Sequence, residues 1–224
     1  MPISREIPIG YKPVAGRRRP APVRRADPAL RRREVLEAAL ELMAEQGYAG
    51  ASLRKLALKL GMQQPSLYHY FTSKQDLVEQ IIATFAGDML TADPGTMPQR
   101  IEDVPAWIRD TVIALYQRPT HPLFVRVVFS ISRIEPRYGK LLRDIFVDRV
   151  ELAMRLFARP FVERGEIEEH VAVFSARMTI NAIGFKLMEE KVLFDERPLG
   201  PDVIAYADYV VDAMREHLLR NRLR

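Results

Sequence analysis

The sequence predicts an all-α fold: a small three-helix head containing a helix-turn-helix, joined to a larger helical body. Three observations predict it. From residue 27 onward, apolar residues recur at spacings of three and four through nearly the whole chain. Proline, glycine and capping residues break that pattern at intervals suited to helices. No segment shows the alternation of a half-buried strand, and no internal repeat is present.

The head begins at Asp27 and Pro28, an N-cap and a first-turn proline, and Gly47 supplies a stop. Between them Val35, Leu36, Ala39, Leu42 and Met43 form one apolar stripe. A second stripe follows in Leu53, Leu56, Ala57 and Leu60, with Ser52 as N-cap and Gly61 as a left-handed stop. Arg54, Lys55 and Lys59 occupy its other face. After the turn of Gly61, Met62 and Gln63, Pro65 sits where a first-turn proline costs no helical hydrogen bond. Leu67 and Phe71 can hold this third helix against the second, leaving Gln64, Ser66, Tyr68, His69 and Tyr70 outward. Ser73, Lys74, Gln75 and Asp76 have the capping form S-x-x-D and open a further helix over 74–90.

The outward residues suit a DNA groove. Glutamine can pair with adenine, serine can donate or accept, and proline or tyrosine can pack on a thymine methyl. Tyrosine hydroxyls and a lysine can fix phosphates, which sets register without reading sequence. The free N–H groups at the start of the 74–90 helix, with Lys74 beside them, favour an anion. An ordinary helical hairpin with a few exposed aromatics is the competing reading.

The join G-Y-x-x-x-S-x-R (Gly47 to Arg54), the run LGMQQPSLYHYF (Leu60 to Phe71) and SK followed by D-L (Ser73, Lys74, Asp76, Leu77) resemble the DNA-binding domain of TetR-family transcriptional regulators. Within that family, QPSLYHY is similar to the Q-P-T-L-Y recognition helix of the tetracycline-repressor members, and Arg54 stands where they carry a base-reading arginine. The resemblance covers roughly a quarter of the chain. It implies base contacts from Arg54, Gln64, Pro65, Ser66 and Tyr68, and phosphate contacts from Ser52, Tyr70 and Lys74. Two positions depart from the family pattern. His69 replaces a residue that is often aromatic, leaving base, phosphate and packing roles open to it, and Gln63 replaces a frequent capping serine.

Charge is unevenly placed. Residues 1–33 hold ten basic side chains, Arg5, Lys12, Arg17, Arg18, Arg19, Arg24, Arg25, Arg31, Arg32 and Arg33, against Glu6 and Asp27, a net charge of +8. The whole chain is only +5, so the remainder is net acidic. Pro2, Pro8, Pro13, Pro20 and Pro22 and the lack of periodicity predict a disordered basic arm over 1–26. Such an arm can add phosphate or minor-groove contacts. A transit peptide and a solvated tail without partner are the other readings, the first disfavoured by the prolines.

The apolar fraction of 48% suffices for a core, and no uninterrupted apolar run approaches the roughly 20 residues needed to span a bilayer, so no membrane partner is expected. The absence of cysteine excludes disulfides and thiolate chemistry and accords with a reducing cytoplasm, the compartment expected. His69, His121, His170 and His217 are scattered without metal-ligand spacing, so no metal and no cofactor is expected. No P-loop, G-x-G-x-x-G, G-x-S-x-G or H-E-x-x-H is present, which leaves nothing from which to build an enzyme.

The domains expected are therefore the arm over 1–26, a helix-turn-helix domain over 27–90 (the motif itself about 51–70), and a helical effector-binding and dimerisation domain over 91–224. In the body, a turn over 91–98 precedes helices over 101–117, 122–134, 137–164 with a kink, or a break near its end, at Pro160, 166–191 and 201–221. The 166–191 helix is apolar nearly all round and must be covered on all sides. The last helix carries a stripe that includes Val203, Ala207, Val210 and Met214. The family resemblance implies a homodimer through these last two helices, and those four residues are taken as its interface. A two-fold dimer would read a palindromic double-stranded operator. Trp107, Tyr116, Phe124, Phe129, Phe157, Met154, Phe174, Met178 and Phe185 can line an apolar pocket, with Ser175, Thr179 and Asn181 to orient a ligand. Trp107, Tyr116, Phe129, Met178 and Asn181 are the chosen pocket set, and an ordinary core is the alternative use of the same residues. The resemblance implies a repressor released by a small, apolar effector. A helical binding or enzymatic scaffold, and an activator of the same family, are the alternatives.

Overall fold

The computed structural model describes residues 27–90, 97–194 and 198–223. The predicted arm over 1–26 and most of the predicted turn over 91–98 lie outside the described residues. The helices are α1 (Pro28–Gly50), α2 (Leu53–Lys59), α3 (Gln64–Leu67), α4 (Lys74–Leu90), α5 (Val104–Gln117), α6 (Thr120–Ser132), α7 (Pro136–Arg143), α8 (Val150–Glu163), α9 (Glu169–Met188) and α10 (Pro201–Arg220). There is no strand among the described residues.

Local chemistry sets the ends of α1. The Ala29 N–H donates to the Asp27 carboxylate at 2.9 Å, and Pro28 follows the cap without sacrificing a hydrogen bond. The stop expected at Gly47 is present as a break in the helical backbone. Gly47 takes φ 70°, which a side chain would resist, and one more turn continues to Gly50.

The body departs from the expected helix boundaries in several places. A 3₁₀ turn, Ile101–Asp103, precedes α5. The helix expected over 137–164 is divided by a π turn at Asp144–Arg149, where the Arg177 guanidinium donates to the carbonyls of Phe146 and Val147 at 3.4 and 3.1 Å. Pro160 lies inside α8 without ending it, since the helix runs on to Glu163. A second π turn, Glu189–Leu193, extends α9.

The head shares its core with the body. Leu40, Leu67, Phe71 and Ile82 belong to the same buried cluster as Phe124 and Ile131 of α6, and Tyr138 of α7 joins them. Each large apolar side chain so buried contributes about 1.5–3 kcal/mol, so α6 is held to α1 by several such terms. A second cluster packs α5, α8 and α9 through Ile108, Met154, Phe161 and Val173. A third joins Tyr116, Ile183 and Leu187 to Val203, Ala207 and Val211 of α10.

One expectation needs correction. The segment Glu169–Leu193 is long and apolar enough, by length and composition, to cross a membrane, with a mean hydropathy of 1.2. The apolar run is interrupted by Arg177 and Lys186, and in the fold the helix packs against α5, α8 and α10. Central helices of bundles have this composition because they are covered by neighbours on most sides.

Candidate nucleic-acid interface and body cavity

The α2–α3 unit is closed by backbone geometry. Gly61, at φ 61°, ends α2, while the Met62 N–H donates to the Ala57 carbonyl at 2.9 Å and the Gly61 N–H to the Leu58 carbonyl at 3.1 Å. This paired arrangement satisfies carbonyls that the last helical turn leaves open. At the other end of α2, the Lys55 N–H donates to the Ser52 hydroxyl at 3.2 Å. Leu56, Leu67 and Phe71 are buried and fix α3 against α2. The third helix is shorter than its sequence pattern: after Leu67 the chain continues as tight turns, with the Tyr68 N–H on the Pro65 carbonyl and the Tyr70 N–H on the Leu67 carbonyl. Gln63, in the N-cap position of α3, makes no side-chain cap, as its departure from serine implied.

This scaffold leaves a polar surface. Ser52, Arg54, Gln64, Pro65, Tyr68 and His69 are exposed, while Ser66 and Tyr70 are half-buried. Exposure of His69 removes packing from the roles left open to it. The cations of the head are otherwise occupied. Arg31 pairs with Glu34, Arg33 with Glu37 and Asp88, and Lys59 with Glu41 and Glu45. Arg32 donates to Gln80 and the Tyr70 carbonyl, and Lys55 to Gln46 and the Gly50 carbonyl. Arg54 has no hydrogen-bonding or ionic partner among the described residues. Its side chain is the head cation available to a ligand without first breaking a bond.

Two groups at the start of α4 are spoken for. The Asp76 N–H donates to the Ser73 hydroxyl at 3.1 Å, and Asp76 itself accepts from the Thr72 N–H at 2.6 Å and from Gln80 at 2.8 Å. The Thr72 N–H, then Gln80, hold the Asp76 carboxyl below its usual range. Lys74 donates to the Tyr48 carbonyl and lies 4.2 Å from the centroid of the Tyr48 ring. Burial lowers its pKa from the ordinary lysine value. The lysine expected at a phosphate therefore ties the start of α4 to the end of α1.

The body holds a cavity of about 370 Å³ between α5, α6, the first π turn, α8 and α9. Of the residues chosen from sequence, Trp107, Tyr116, Phe129 and Asn181 line it. Met178 does not: it is 56% exposed on the outer face of α9. Among the wider candidates, Met154, Phe157 and Phe185 line the cavity, Phe124 is buried in the head cluster, and Phe174 is exposed. Ser175 and Thr179 are spent inside α9, donating to the carbonyls of Val171 and Ser175 at 2.7 and 2.8 Å. Sequence reasoning missed His121, Val125 and Phe146 as lining residues. His121 precedes Pro122, where the helix was expected to begin, whereas α6 starts at Thr120 and turns His121, Val125 and Phe129 to one face.

Polar groups at the cavity are few. The Tyr116 and His121 rings meet edge to face with centroids 4.6 Å apart. Burial pushes the Tyr116 hydroxyl up to about 12 and the His121 imidazole down to about 4, with Arg118 adding to the latter. Both are uncharged at neutral pH.

Val203, Ala207, Val210 and Met214, taken as the dimer interface, turn inward instead. The first three are buried and Met214 is half-buried, all against the Tyr116, Ile183 and Leu187 cluster. An apolar stripe at helical spacing covers its own core first. The exposed apolar side chains lie elsewhere: Phe174, Met178 and Phe185 on α9, and Ile204, Tyr206 and Tyr209 on α10.

Residues 35–81 match the family model described as bacterial regulatory proteins, tetR family. The chain is 46% identical over 52 residues to the class D tetracycline repressor protein of Escherichia coli, a match covering 23% of this chain and 24% of that repressor. The curated relative is thus matched over about a quarter of its length. Across the whole fold, Salmonella enterica GusR superposes with a TM-score of 0.66 at 19% identity, covering 86% of this chain and 97% of that one. The transcriptional regulator FadR from Bacillus subtilis, solved in complex with stearoyl-CoA, superposes with a TM-score of 0.63 at 16% identity, covering 83% and 98%.

Proposed function

We propose that this chain, whose residues 35–81 match the TetR family model, is a repressor that binds a palindromic operator as a homodimer and is released by a small apolar effector. The observation that carries the reading is the unpaired Arg54 beside the exposed Gln64, Pro65 and Tyr68, on a unit whose buried Leu56, Leu67 and Phe71 hold it rigid. Arg54, Gln64, Pro65, Ser66 and Tyr68 read base edges. Ser52 and Tyr70 hold phosphates, since the Ser52 hydroxyl keeps its proton to donate after accepting the cap. The protein acts where the DNA is, in the cytoplasm, without catalysing a reaction.

A second copy packs on the outer face of α9 and α10, through Phe174, Met178 and Tyr209. The palindrome follows from the two-fold axis of such a dimer. Release works through α6. Its His121, Val125 and Phe129 line the cavity, and its Phe124, Val128 and Ile131 sit in the head cluster. A ligand that favours one position of α6 then favours one spacing of the heads, and shifts the population by its differential affinity.

The experiment is selection from random duplex DNA by the purified full-length chain at about 0.15 M salt, which suppresses weak non-specific binding. Two inverted half-sites are the expected product. Recovery of no sequence above background from folded protein would overturn the reading and move attention to the cavity alone.

A further inference from the structure

The cavity is built for an uncharged guest. Its wall contains Trp107, Phe129, Phe146, Phe157 and Phe185, and among the described residues no Asp, Glu, Lys or Arg contributes to it. A charge moved there from water would lose its hydration and meet no partner, at a cost of several kcal/mol. The volume, about 370 Å³, lies at the small end of the range for small-molecule sites.

The polar groups narrow the chemistry further. His121 is 4% exposed and Tyr116 9%, yet neither side chain makes a hydrogen bond to any described residue. Both side chains line the cavity and are not sealed in the core: among the described residues, the one fully buried side-chain polar atom without a partner belongs to Glu102. Thr111, by contrast, is already committed, donating to the Trp107 carbonyl at 2.8 Å. Tyr116 offers a hydroxyl donor and acceptor, and a neutral imidazole offers one of each. Asn181, at the exposed rim, adds an amide with the same capacity. A hydroxyl or carbonyl oxygen meets these groups without requiring a counter-charge.

We infer that the cavity binds an uncharged molecule with an apolar skeleton and a hydroxyl or carbonyl group, the oxygen seated between Tyr116 and His121. This inference rests on the reading of the cavity as the effector site. Carboxylates, ammonium ions and acyl-CoA thioesters are poor guests, the last because its phosphates find no cation among the lining residues.

Trp107 is the single tryptophan of the chain and sits in the wall, edge to face with Phe157 at 5.2 Å. Its emission reports occupancy without DNA. The test titrates the full-length protein at pH 7.5 with decan-1-ol, decan-2-one, decanoate, decyltrimethylammonium and decanoyl-CoA. The alcohol and ketone should bind at least tenfold more tightly than any of the charged probes. Tyr116→Phe should weaken the alcohol about three- to tenfold, the loss of one hydrogen bond, with the melting temperature used to verify folding. Equal or tighter binding of decanoate or decanoyl-CoA would overturn the inference while leaving the cavity an effector site. An unchanged alcohol affinity in folded Tyr116→Phe would overturn the seating of the oxygen. No response to any probe would overturn both the inference and the effector-site reading.

Discussion

Lys74 and Tyr48 close the head on itself: the ammonium lies 4.2 Å from the centroid of the Tyr48 ring and donates to the Tyr48 carbonyl. One side chain at the start of α4 thereby satisfies backbone beyond the Gly47 bend, where α1 can no longer use its own ladder. Lys74→Met should lower stability to urea by about 1–2 kcal/mol, from a lost charge-assisted hydrogen bond and cation–π contact. The slope of log affinity for DNA against log salt should stay as it is. A slope reduced by about 0.9 would return Lys74 to the phosphate role its position in the sequence suggested.

Arg54 and Gln64 differ from Lys74 in having nothing to give up. Replacing either with alanine should leave the urea midpoint within about 0.5 kcal/mol of the parent, because exposed side chains without partners contribute little to folding. Sequence preference at one operator position should relax at a cost on the order of 1–3 kcal/mol, measured by competition between single-base operator variants. A uniform loss across all sequences would mean that the residue touches phosphate.

The helical period made much of this legible. Val35, Leu36, Ala39, Leu42 and Met43 were expected on one face of α1, and all are buried. Of Trp107, Tyr116, Phe129, Met178 and Asn181, expected together, all but Met178 line one cavity. Periodicity fails where a helix has two apolar faces. It groups Val203, Ala207 and Val210 correctly, but cannot say whether their own subunit or another covers them. The π turn at Asp144–Arg149 was equally invisible, since no residue type marks an i→i+5 bond and the Arg177 that satisfies its carbonyls is far along the chain.

That ambiguity on α9 and α10 can be resolved by contrast. Phe174→Glu, at a position 63% exposed in the protomer, should leave helicity intact and convert a sedimenting dimer to monomer. Ala207→Glu, at a position 1% exposed, should instead unfold the body, because the carboxylate would enter the Ile183 and Leu187 cluster. If Phe174→Glu remained dimeric, the partner surface would lie off the outer face of α9.

Acid should destabilise the chain through His121 before its carboxylates titrate. In the folded state the imidazole titrates near 4, and in the unfolded chain near its ordinary 6.5. Between those values the unfolded state binds the proton and the folded state does not, so stability rises with pH across the window. The contribution is complete above about 6.5 and is lost as pH falls toward 4, at up to about 1.4 kcal/mol per unit. The charged groups acting on the ring are Arg118, which reinforces the depression, and Asp88, which opposes it while pairing with Arg33 at 2.7 Å. His121→Gln keeps hydrogen-bonding capacity but cannot titrate. Urea unfolding of parent and variant at several pH values from 7.5 to 4.5 should therefore give curves that diverge below about 6.5, the variant flatter. Parallel curves would mean that the imidazole takes up its proton in the folded chain as readily as in water, and that the cavity wall is wetter than its apolar residues imply.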